Sequence, residues 1–203
     1  MTTFALIRHA RHGLFGQTIV GRTPGIGLSP EGIREAEALA ERFDPSSFQA
    51  LYSSPLERAR ATADALAARL RLDVQIADEL NEIDFGAWTN RTLAELHELE
   101  GWRRFNVLRS GTRIPDGETM LEVQNRMLGL IQRLCPAHPE GTVALISHGD
   151  VIRATLAHLL GVPLDLFQRI EISPASVSIV RMTGYAPEVL LINGGAEDRL
   201  LHR

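Results

Sequence analysis

Short apolar runs that alternate with helical patterns are the feature of this sequence that most restricts its fold. Runs at 4–7, 49–54 and 142–147 are each followed, after a polar cluster, by a segment with apolar residues at helical spacing. This alternation is typical of a parallel sheet covered by helices on both faces. The sequence therefore predicts an α/β fold, a three-layer sandwich with a mostly parallel central sheet flanked by helices. Its 203 residues suit a single domain, 1–203.

Local signals set the expected boundaries of the elements. Strands or edge pieces are predicted at 4–7, 49–54, 73–76, 142–147, 167–172, 176–182 and 187–192. Helices are predicted from Pro30 to about Phe43, from Pro55 onward, in pieces over 92–108, from an N-cap at Asp116 to about Leu134, and from about 150 to 160. In the first helix, the face expected to be buried carries Ile33, Ala36, Leu39 and Ala40.

All 21 basic residues are arginines, and the absence of lysine excludes several kinds of active site. A Walker A loop, a Schiff-base lysine and a lysine general base all need a residue that this chain lacks. Any bound anion must therefore be held by arginine and histidine side chains. Arginine suits that task because its planar set of N–H donors matches phosphate or carboxylate oxygens in pairs.

The remaining composition limits the compartment and the partners. The net charge of −4 and the lack of a basic stripe argue against a nucleic-acid partner. No apolar run approaches the ~20 residues that a membrane span needs, and the first residues lack the pattern of a signal peptide. The single cysteine, Cys135, cannot form an internal disulfide, which fits a reducing compartment. We therefore expect a cytoplasmic protein with no membrane or nucleic-acid partner, and leave open whether it is a homo-oligomer.

Polar and charged side chains are concentrated where the predicted strands end. Arg8 and His9 follow the first strand, 53–58 the second, and 147–149 the strand at 142–147. A fourth polar segment lies in the loop 79–91. Because open α/β sheets bind ligands outside the carboxyl ends of their strands, we expect these clusters to converge at one edge of the sheet.

Histidines and arginines gathered at one edge repel one another unless an anion neutralises them. A phosphoryl group fits best, because fixed cationic donors stabilise the charge on its oxygens. Histidine can attack phosphorus as a nucleophile, and the leaving oxygen then needs a proton from a nearby carboxylic acid. Glu82 is placed to supply that proton, with Asp84 and Glu79 as competitors.

Four motifs resemble those of the histidine phosphatase superfamily, also called the phosphoglycerate-mutase-like superfamily. They are "LIRHA", "LYSSPLERARATA", "ELNEIDFGAW" and "LISHGDVIRA", in this order. The stretches "GRTPGIGLSPEG" and "PDGETMLEVQNR" add to the likeness, which extends from residue 4 to about 160. The family works without a metal, so the resemblance implies neither a metal nor a cofactor.

The resemblance also implies roles for individual residues. It implies that His9 is phosphorylated, that His148 contacts the phosphoryl oxygens and that Glu82 protonates the leaving group. It places Arg8 and Arg58 in the phosphate pocket as part of the catalytic set. Further contacts to substrate or phosphate are implied for Arg22, Thr23 and Gly149.

This chain departs from the family pattern beside the nucleophile. Ala10 replaces the usual glycine, which is tolerable unless the backbone there has a positive φ. Arg11 replaces the usual acidic residue, and with His12 it is expected to add positive charge at the rim of the pocket. Where the family often has a phosphate-pocket asparagine, this chain has Phe15 or a neighbour, and Gln17 is the expected substitute.

The resulting hypothesis is a metal-independent phosphomonoester hydrolase that acts through phosphohistidine on a small phosphorylated metabolite. A phosphomutase with the same phosphohistidine is one alternative, and a weakly catalytic phospho-ligand binding module is another. The chain has no long extra segment to act as a lid, which favours the hydrolase because water then reaches the phosphoenzyme. Zinc binding by His9, His12 and His148 is disfavoured because neighbouring arginines repel a cation.

Overall fold

The computed structural model describes residues 1–195, which form one mixed sheet of six strands covered by helices on both faces. The strands are β1 (Thr2–Arg8), β2 (Ala50–Ser53), β3 (Val74–Ile76), β4 (Thr142–Ser147), β5 (Val177–Met182) and β6 (Pro187–Gly194). Their order across the sheet is β3-β2-β4-β1-β5-β6. The first four are parallel, while β5 and β6 are antiparallel to their neighbours. The predicted α/β fold with a mostly parallel sheet is confirmed.

Six α-helices connect these strands. They are α1 (Pro30–Glu41), α2 (Glu57–Leu70), α3 (Leu93–His97), α4 (Glu100–Val107), α5 (Met120–Ala137) and α6 (Gly149–Leu160). Short 3₁₀ helices lie at Asp78–Leu80, Gly86–Trp88 and Leu164–Arg169. No helix within the described residues is long and apolar enough to cross a membrane.

Alternate residues of β1 belong to two separate apolar cores, which makes the molecule three layers thick. Phe4 and Leu6 pack in the core that includes α5 and α6. Ala5 and Ile7 pack in the core that includes α1 and α2. Successive side chains of a strand point to opposite faces of the sheet, so a strand buried on both faces needs an uninterrupted apolar run. This requirement explains why β1 and β4 stand out so clearly in the sequence.

The N-cap residue predicted from the sequence is confirmed for α1 but not for α5. The Ser29 side chain accepts a hydrogen bond from the backbone of Gly32, and Pro30 is the first residue of α1, as predicted. The predicted N-cap of α5 at Asp116 is wrong. Asp116 has φ +57° in the preceding turn, and Thr119 caps the helix through a capping box with Glu122.

Three further predictions of local structure are wrong. The segment 167–172 is not a strand, because Phe167 and Ile170 close a 3₁₀ turn and bury their side chains there. Ile33 is 49% exposed, because Gly32 rather than Ile33 faces the core at the start of α1. The helix predicted from Pro55 begins two residues later, at Glu57.

Candidate active site

The two histidines of the predicted site lie side by side at the carboxyl end of the sheet. In the parallel pairing of β1 with β4, Arg8 is opposite Ser147, so His9 and His148 follow at the same level. Their ring centroids are 5.0 Å apart. Both side chains are buried, at 3% and 0% exposure. The two histidines therefore lie next to each other because β1 and β4 are neighbouring parallel strands, as predicted from their positions directly after those strands.

Arg58 joins the two histidines. Its Nε donates to Nε2 of His9 at 3.3 Å, and its Nη2 lies 3.4 Å from Nδ1 of His148. Nη2 also donates to the carbonyl of Gly21 at 2.8 Å, while Nη1 is buried without a hydrogen-bond partner. Arg58 lies in the first turn of α2 and is 1% exposed. A fully buried guanidinium with an unpaired N–H group is suited to binding an anion.

Arg8 reaches the same pocket from the end of β1. Its Nη1 donates to the carbonyl of Ile172 at 2.6 Å, whereas its Nε is buried and unpaired. Gly149 lies directly against it, because a Cβ atom there would be 3.1 Å from Cζ of Arg8. The glycine at the start of α6 therefore leaves space for the Arg8 guanidinium.

Glu82 is the carboxylate that faces the histidines. Its Oε2 lies 3.7 Å from Nδ1 of His148, and its Oε1 accepts from the backbone N–H of Ile83 at 2.9 Å. Burial, with a smaller effect of the nearby Asp150, raises the pKa of Glu82 above its ordinary value. A carboxyl group with a raised pKa is a competent proton donor. Neither competing carboxylate faces the histidines.

Asp84 and Glu79 are engaged elsewhere. Oδ2 of Asp84 lies 3.6 Å from Nη1 of Arg22, and Oε1 of Glu79 lies 2.7 Å from Nη1 of Arg133. Both contacts are partly exposed ion pairs outside the pocket between the histidines. Among the three carboxylates, the geometry therefore favours Glu82.

Arg22 lies behind Glu82 instead of facing the open pocket. Its Nε donates to the backbone carbonyl of Glu82 at 2.8 Å, and its Nη2 donates to Glu118 at 2.9 Å. Arg126 donates to the same carbonyl at 3.2 Å and also binds Glu118. Thr23, also predicted to contact substrate, donates to the Asn90 side chain at 2.9 Å and does not line the pocket. The arrangement makes Arg22 a support of Glu82.

Both histidines of the pair are held in the neutral form. Burial, followed by the charges of Arg58 and Arg8, lowers the pKa of His9 well below its ordinary value. Burial and Arg58 lower the pKa of His148 in the same direction. Nδ1 of His9 lies 2.7 Å from the carbonyl oxygen of Ala10, which can only accept a hydrogen bond. Nδ1 therefore carries the proton, and Nε2, which accepts a hydrogen bond from Nε of Arg58 at 3.3 Å, carries the lone pair needed for nucleophilic attack.

Ala10 fits its position without strain. Its φ is not among the positive values of the described residues, and its side chain is fully buried. The backbone N–H donates to Oγ1 of Thr62 at 3.0 Å. The methyl group that replaces the usual glycine is therefore accommodated.

The prediction that Arg11 and His12 add positive charge at the rim is wrong. Arg11 forms ion pairs with Glu31 at 3.4 Å and with Glu35 at 3.1 Å, so its charge is compensated. Burial, followed by the charges of Arg58 and Arg8, lowers the pKa of His12 to about 4. His12 is therefore neutral at pH 7.

A cleft of about 170 Å³ opens over this set of side chains. Its lining combines charged and apolar residues: Arg8, His12, Phe15, Gly16, Thr18, Ile19, Val20, Gly21, Glu82, Phe85, Gly149, Asp150 and Arg153. A larger cleft of about 350 Å³ between α1 and the segment 173–176 contains none of the predicted site residues. The smaller cleft is the better candidate, because Arg8, Glu82 and Gly149 of the predicted site line it, and the ring of His12 in its wall lies 5.8 Å from that of His9. The described residues include no cluster of three or more His, Cys, Asp and Glu that could hold a metal ion.

The sequence analysis assigned no individual role to three polar residues around the site, Ser54, Asp150 and Arg153. Ser54 contacts Nε2 of His148 at 2.9 Å. Asp150 lies between two arginines, with Arg153 at 3.0 Å and Arg109 at 3.4 Å. Ser54 follows β2 directly, and Asp150 and Arg153 follow β4 within the first turns of α6, so their position after a strand was the available signal.

The chain is similar to known proteins over most of its length. The family model described as "Histidine phosphatase superfamily (branch 1)" matches residues 4–194. The chain is 31% identical to phosphoserine phosphatase 1 of Hydrogenobacter thermophilus, over 95% of this chain and 92% of that protein. It is 35% identical to a probable phosphoglycerate mutase of Proteus mirabilis, over 84% and 81%. The solved phosphoserine phosphatase of Entamoeba histolytica, in complex with 3-phosphoglyceric acid, superposes with a TM-score of 0.85 at 25% identity, covering 96% and 98%.

Proposed function

Because the chain belongs to branch 1 of the histidine phosphatase superfamily, we propose that it hydrolyses small phosphomonoesters through a phosphohistidine formed on His9. The observation that carries the proposal is the contact between Nε2 of His9 and Nε of Arg58 at 3.3 Å. This contact supports the proposal, because a neutral imidazole nitrogen beside a buried cation is suited to attack a phosphoryl group that the cation binds. The reaction needs no metal, because Arg8 and Arg58 supply the positive charge.

The first step transfers the phosphoryl group to the enzyme. Nε2 of His9 attacks phosphorus, the N–P bond forms, and the bond from phosphorus to the ester oxygen breaks. The departing oxygen takes the proton of the Glu82 carboxyl group. Arg8, Arg58 and His148 bind the non-bridging oxygens, whose negative charge is stabilised by donors already in position.

The second step returns the enzyme to its starting state. Water enters where the alcohol has left, and the Glu82 carboxylate takes a proton from it as its oxygen attacks phosphorus. The N–P bond breaks, its electron pair returns to Nε2 of His9, and inorganic phosphate is released. The same carboxyl group thus acts as an acid in the first step and as a base in the second.

Two substrate classes follow from the similar proteins. The names of the relatives and of the solved structure point to phosphoserine and phosphoglycerate. Both are small phosphorylated carboxylic acids, and a cleft of about 170 Å³ is of a size for a compact substrate. We also expect a cytoplasmic location, on the ground of the single cysteine.

Mutase activity is the second candidate, favoured by the 35% identity to a probable phosphoglycerate mutase. A mutase would return the phosphoryl group from His9 to a different hydroxyl of the same substrate skeleton. The two activities use the same residues and differ in whether water or a hydroxyl group receives the phosphoryl group.

Phosphate release in excess EDTA tests the proposal. Wild type and His9→Ala are assayed with p-nitrophenyl phosphate, phosphoserine and 3-phosphoglycerate, and 31P NMR follows any isomer formed from the last. His158→Ala is the matched control, because His158 is an exposed histidine in the last turn of α6. Thermal unfolding checks that each variant is folded.

We expect release that persists in EDTA, disappears in His9→Ala and is unchanged in His158→Ala. Release that survives in His9→Ala would remove the nucleophile assignment. Isomerisation of 3-phosphoglycerate without phosphate release would establish a mutase. If neither reaction occurs and no acid-labile phosphoenzyme forms, the binding module remains.

A further inference from the structure

His12 lines the cleft that opens beside the nucleophile, although neither the composition nor the family motif gives it a role in binding substrate. Its ring centroid is 5.8 Å from that of His9 and 6.2 Å from that of Phe15. The residue is 8% exposed and lines the cleft. A histidine buried only for packing is expected to have its ring nitrogens hydrogen-bonded.

Nδ1 of His12 does not meet that expectation, because it is buried without a hydrogen-bond partner. Two guanidinium nitrogens around His9 share this property, Nε of Arg8 and Nη1 of Arg58. A buried polar atom without a partner destabilises the folded protein, because it has lost its hydrogen bonds to water. Such atoms also occur elsewhere among the described residues, for example at Nε of Arg109 and Oγ1 of Thr112. These three, however, belong to residues grouped around one nucleophile, and that grouping points to a common ligand.

Neither the residue aligned with the family's asparagine nor its expected substitute supplies a neutral donor at this position. Phe15 has no polar side-chain atom, and its ring lies 5.1 Å from the guanidinium of Arg8. Gln17 is exposed and is not among the residues that line the cleft. With Phe15 and Gln17 excluded, His12 is a neutral polar side chain beside His9 that can take over this role.

We infer that His12 binds the phosphoryl group, with Nδ1 donating a hydrogen bond to a non-bridging oxygen while the group is transferred to and from His9. This inference rests on the proposed function of the same cleft. In this arrangement Arg8 and Arg58 supply charge, and His12 supplies a neutral donor beside them. Because His12 is neutral, it can bind a phosphoryl oxygen without adding a third positive charge beside Arg8 and Arg58.

Binding of inorganic phosphate to the intact protein tests the inference without requiring turnover. Isothermal titration compares wild type with His12→Ala, His12→Asn and His12→Gln. The amide nitrogen of asparagine takes the place of Nδ1, and that of glutamine takes the place of Nε2. His158→Asn is the matched control, because His158 is exposed at the far end of α6.

We expect His12→Ala and His12→Gln to weaken phosphate binding by about tenfold to a hundredfold, the range for a hydrogen bond to a charged group. His12→Asn should retain most of the affinity, and His158→Asn all of it. A second readout in wild type is the 15N shift of His12 Nδ1, assigned by its loss in His12→Asn, which should move when phosphate is added.

Two outcomes would overturn the inference, and they are distinguishable from a failure of the proposed function. Wild-type affinity in His12→Ala, or an Nδ1 shift that does not respond to phosphate, removes His12 from the phosphoryl site while Arg58→Ala still abolishes binding. If wild type itself binds no phosphate and forms no phosphoenzyme, the proposed function fails and the inference fails with it.

Discussion

Nε2 of His148 lies 2.9 Å from Oγ of Ser54, and both side chains are fully buried. The Ser54 oxygen also accepts from the backbone N–H of Leu56 at 3.4 Å. Ser54 therefore contacts the His148 ring at Nε2, while Nδ1, on the other side of the ring, lies 3.4 Å from Nη2 of Arg58. Nδ1 is the nitrogen that faces Glu82 and the proposed phosphoryl site. Ser54 thus orients the His148 ring toward Glu82 and the proposed phosphoryl site.

Ser54→Ala is expected to lower kcat about tenfold while KM changes little, because the loss of one buried hydrogen bond costs on the order of 1–3 kcal/mol. The 15N shift of His148 Nε2 should change, because its contact with the Ser54 hydroxyl is lost. Ser53→Ala is the control, since Ser53 is equally buried and its hydroxyl binds only the Ser54 carbonyl. Equal losses in the two variants would reduce Ser54 to a packing role.

Glu82→Gln is expected to slow esters of poor leaving groups much more than p-nitrophenyl phosphate. A proton donor matters most when the departing oxygen is strongly basic, and acid catalysis contributes about 10²–10⁴-fold. The measurement is the slope of log kcat/KM against the pKa of the leaving alcohol, in wild type and variant. An unchanged slope would remove Glu82 from the acid role.

The same groups set the pH dependence of hydrolysis. The lowered pKa of His9 means that its nucleophilic neutral form persists as the pH falls through the ordinary histidine range. The raised pKa of Glu82 means that its acid form extends above the ordinary carboxyl range and is lost as the pH rises through that pKa. We therefore expect kcat/KM for the substrate dianion to fall on the alkaline side, and Glu82→Gln to abolish that fall. A wild-type profile that falls only on the acid side would contradict this assignment.

The parts of the site that sequence reasoning predicted are those fixed by the ends of strands. Arg8, His9 and His148 follow β1 and β4 directly, so the parallel pairing of those strands is enough to bring them together. Arg58 lies in the first turn of α2, the helix that follows β2, so the end of a strand also determines its position. The mostly parallel sheet was predictable because a strand buried on both faces is apolar throughout.

The parts that could not be predicted depend on contacts between distant segments. Arg22 turns toward the backbone of Glu82 because Glu118, 96 positions further along the chain, accepts from it. The neutral state of His12 follows from burial beside two guanidinium groups, and no local pattern reports that burial. Phe167 lies in a 3₁₀ turn between α6 and β5, where its side chain is buried in the core formed with α5 and α6.

Gly149→Ala is expected to weaken substrate binding by displacing Arg8. A Cβ atom at this position would lie 3.1 Å from Cζ of Arg8, closer than ordinary van der Waals contact. Loss of about one charge-assisted hydrogen bond to the phosphoryl group corresponds to roughly a tenfold or greater fall in kcat/KM. Gly129→Ala is the control, because nothing lies within 4 Å of its Cβ position and its activity should be unchanged. Wild-type kcat/KM in Gly149→Ala would mean that Arg8 can move aside at no cost.

Arg22→Ala separates two roles for Arg22, substrate contact and support of Glu82. Because Nε of Arg22 donates to the Glu82 carbonyl at 2.8 Å, its removal should misplace the carboxyl group and lower kcat for poor leaving groups about tenfold, with KM nearly unchanged. The loss should largely vanish in a Glu82→Gln background, since residues that act through one group are not additive. Arg181→Ala is the matched control, because Arg181 is a partly exposed arginine that pairs with Glu188 on β6. A raised KM with unchanged kcat would instead make Arg22 a substrate-binding residue.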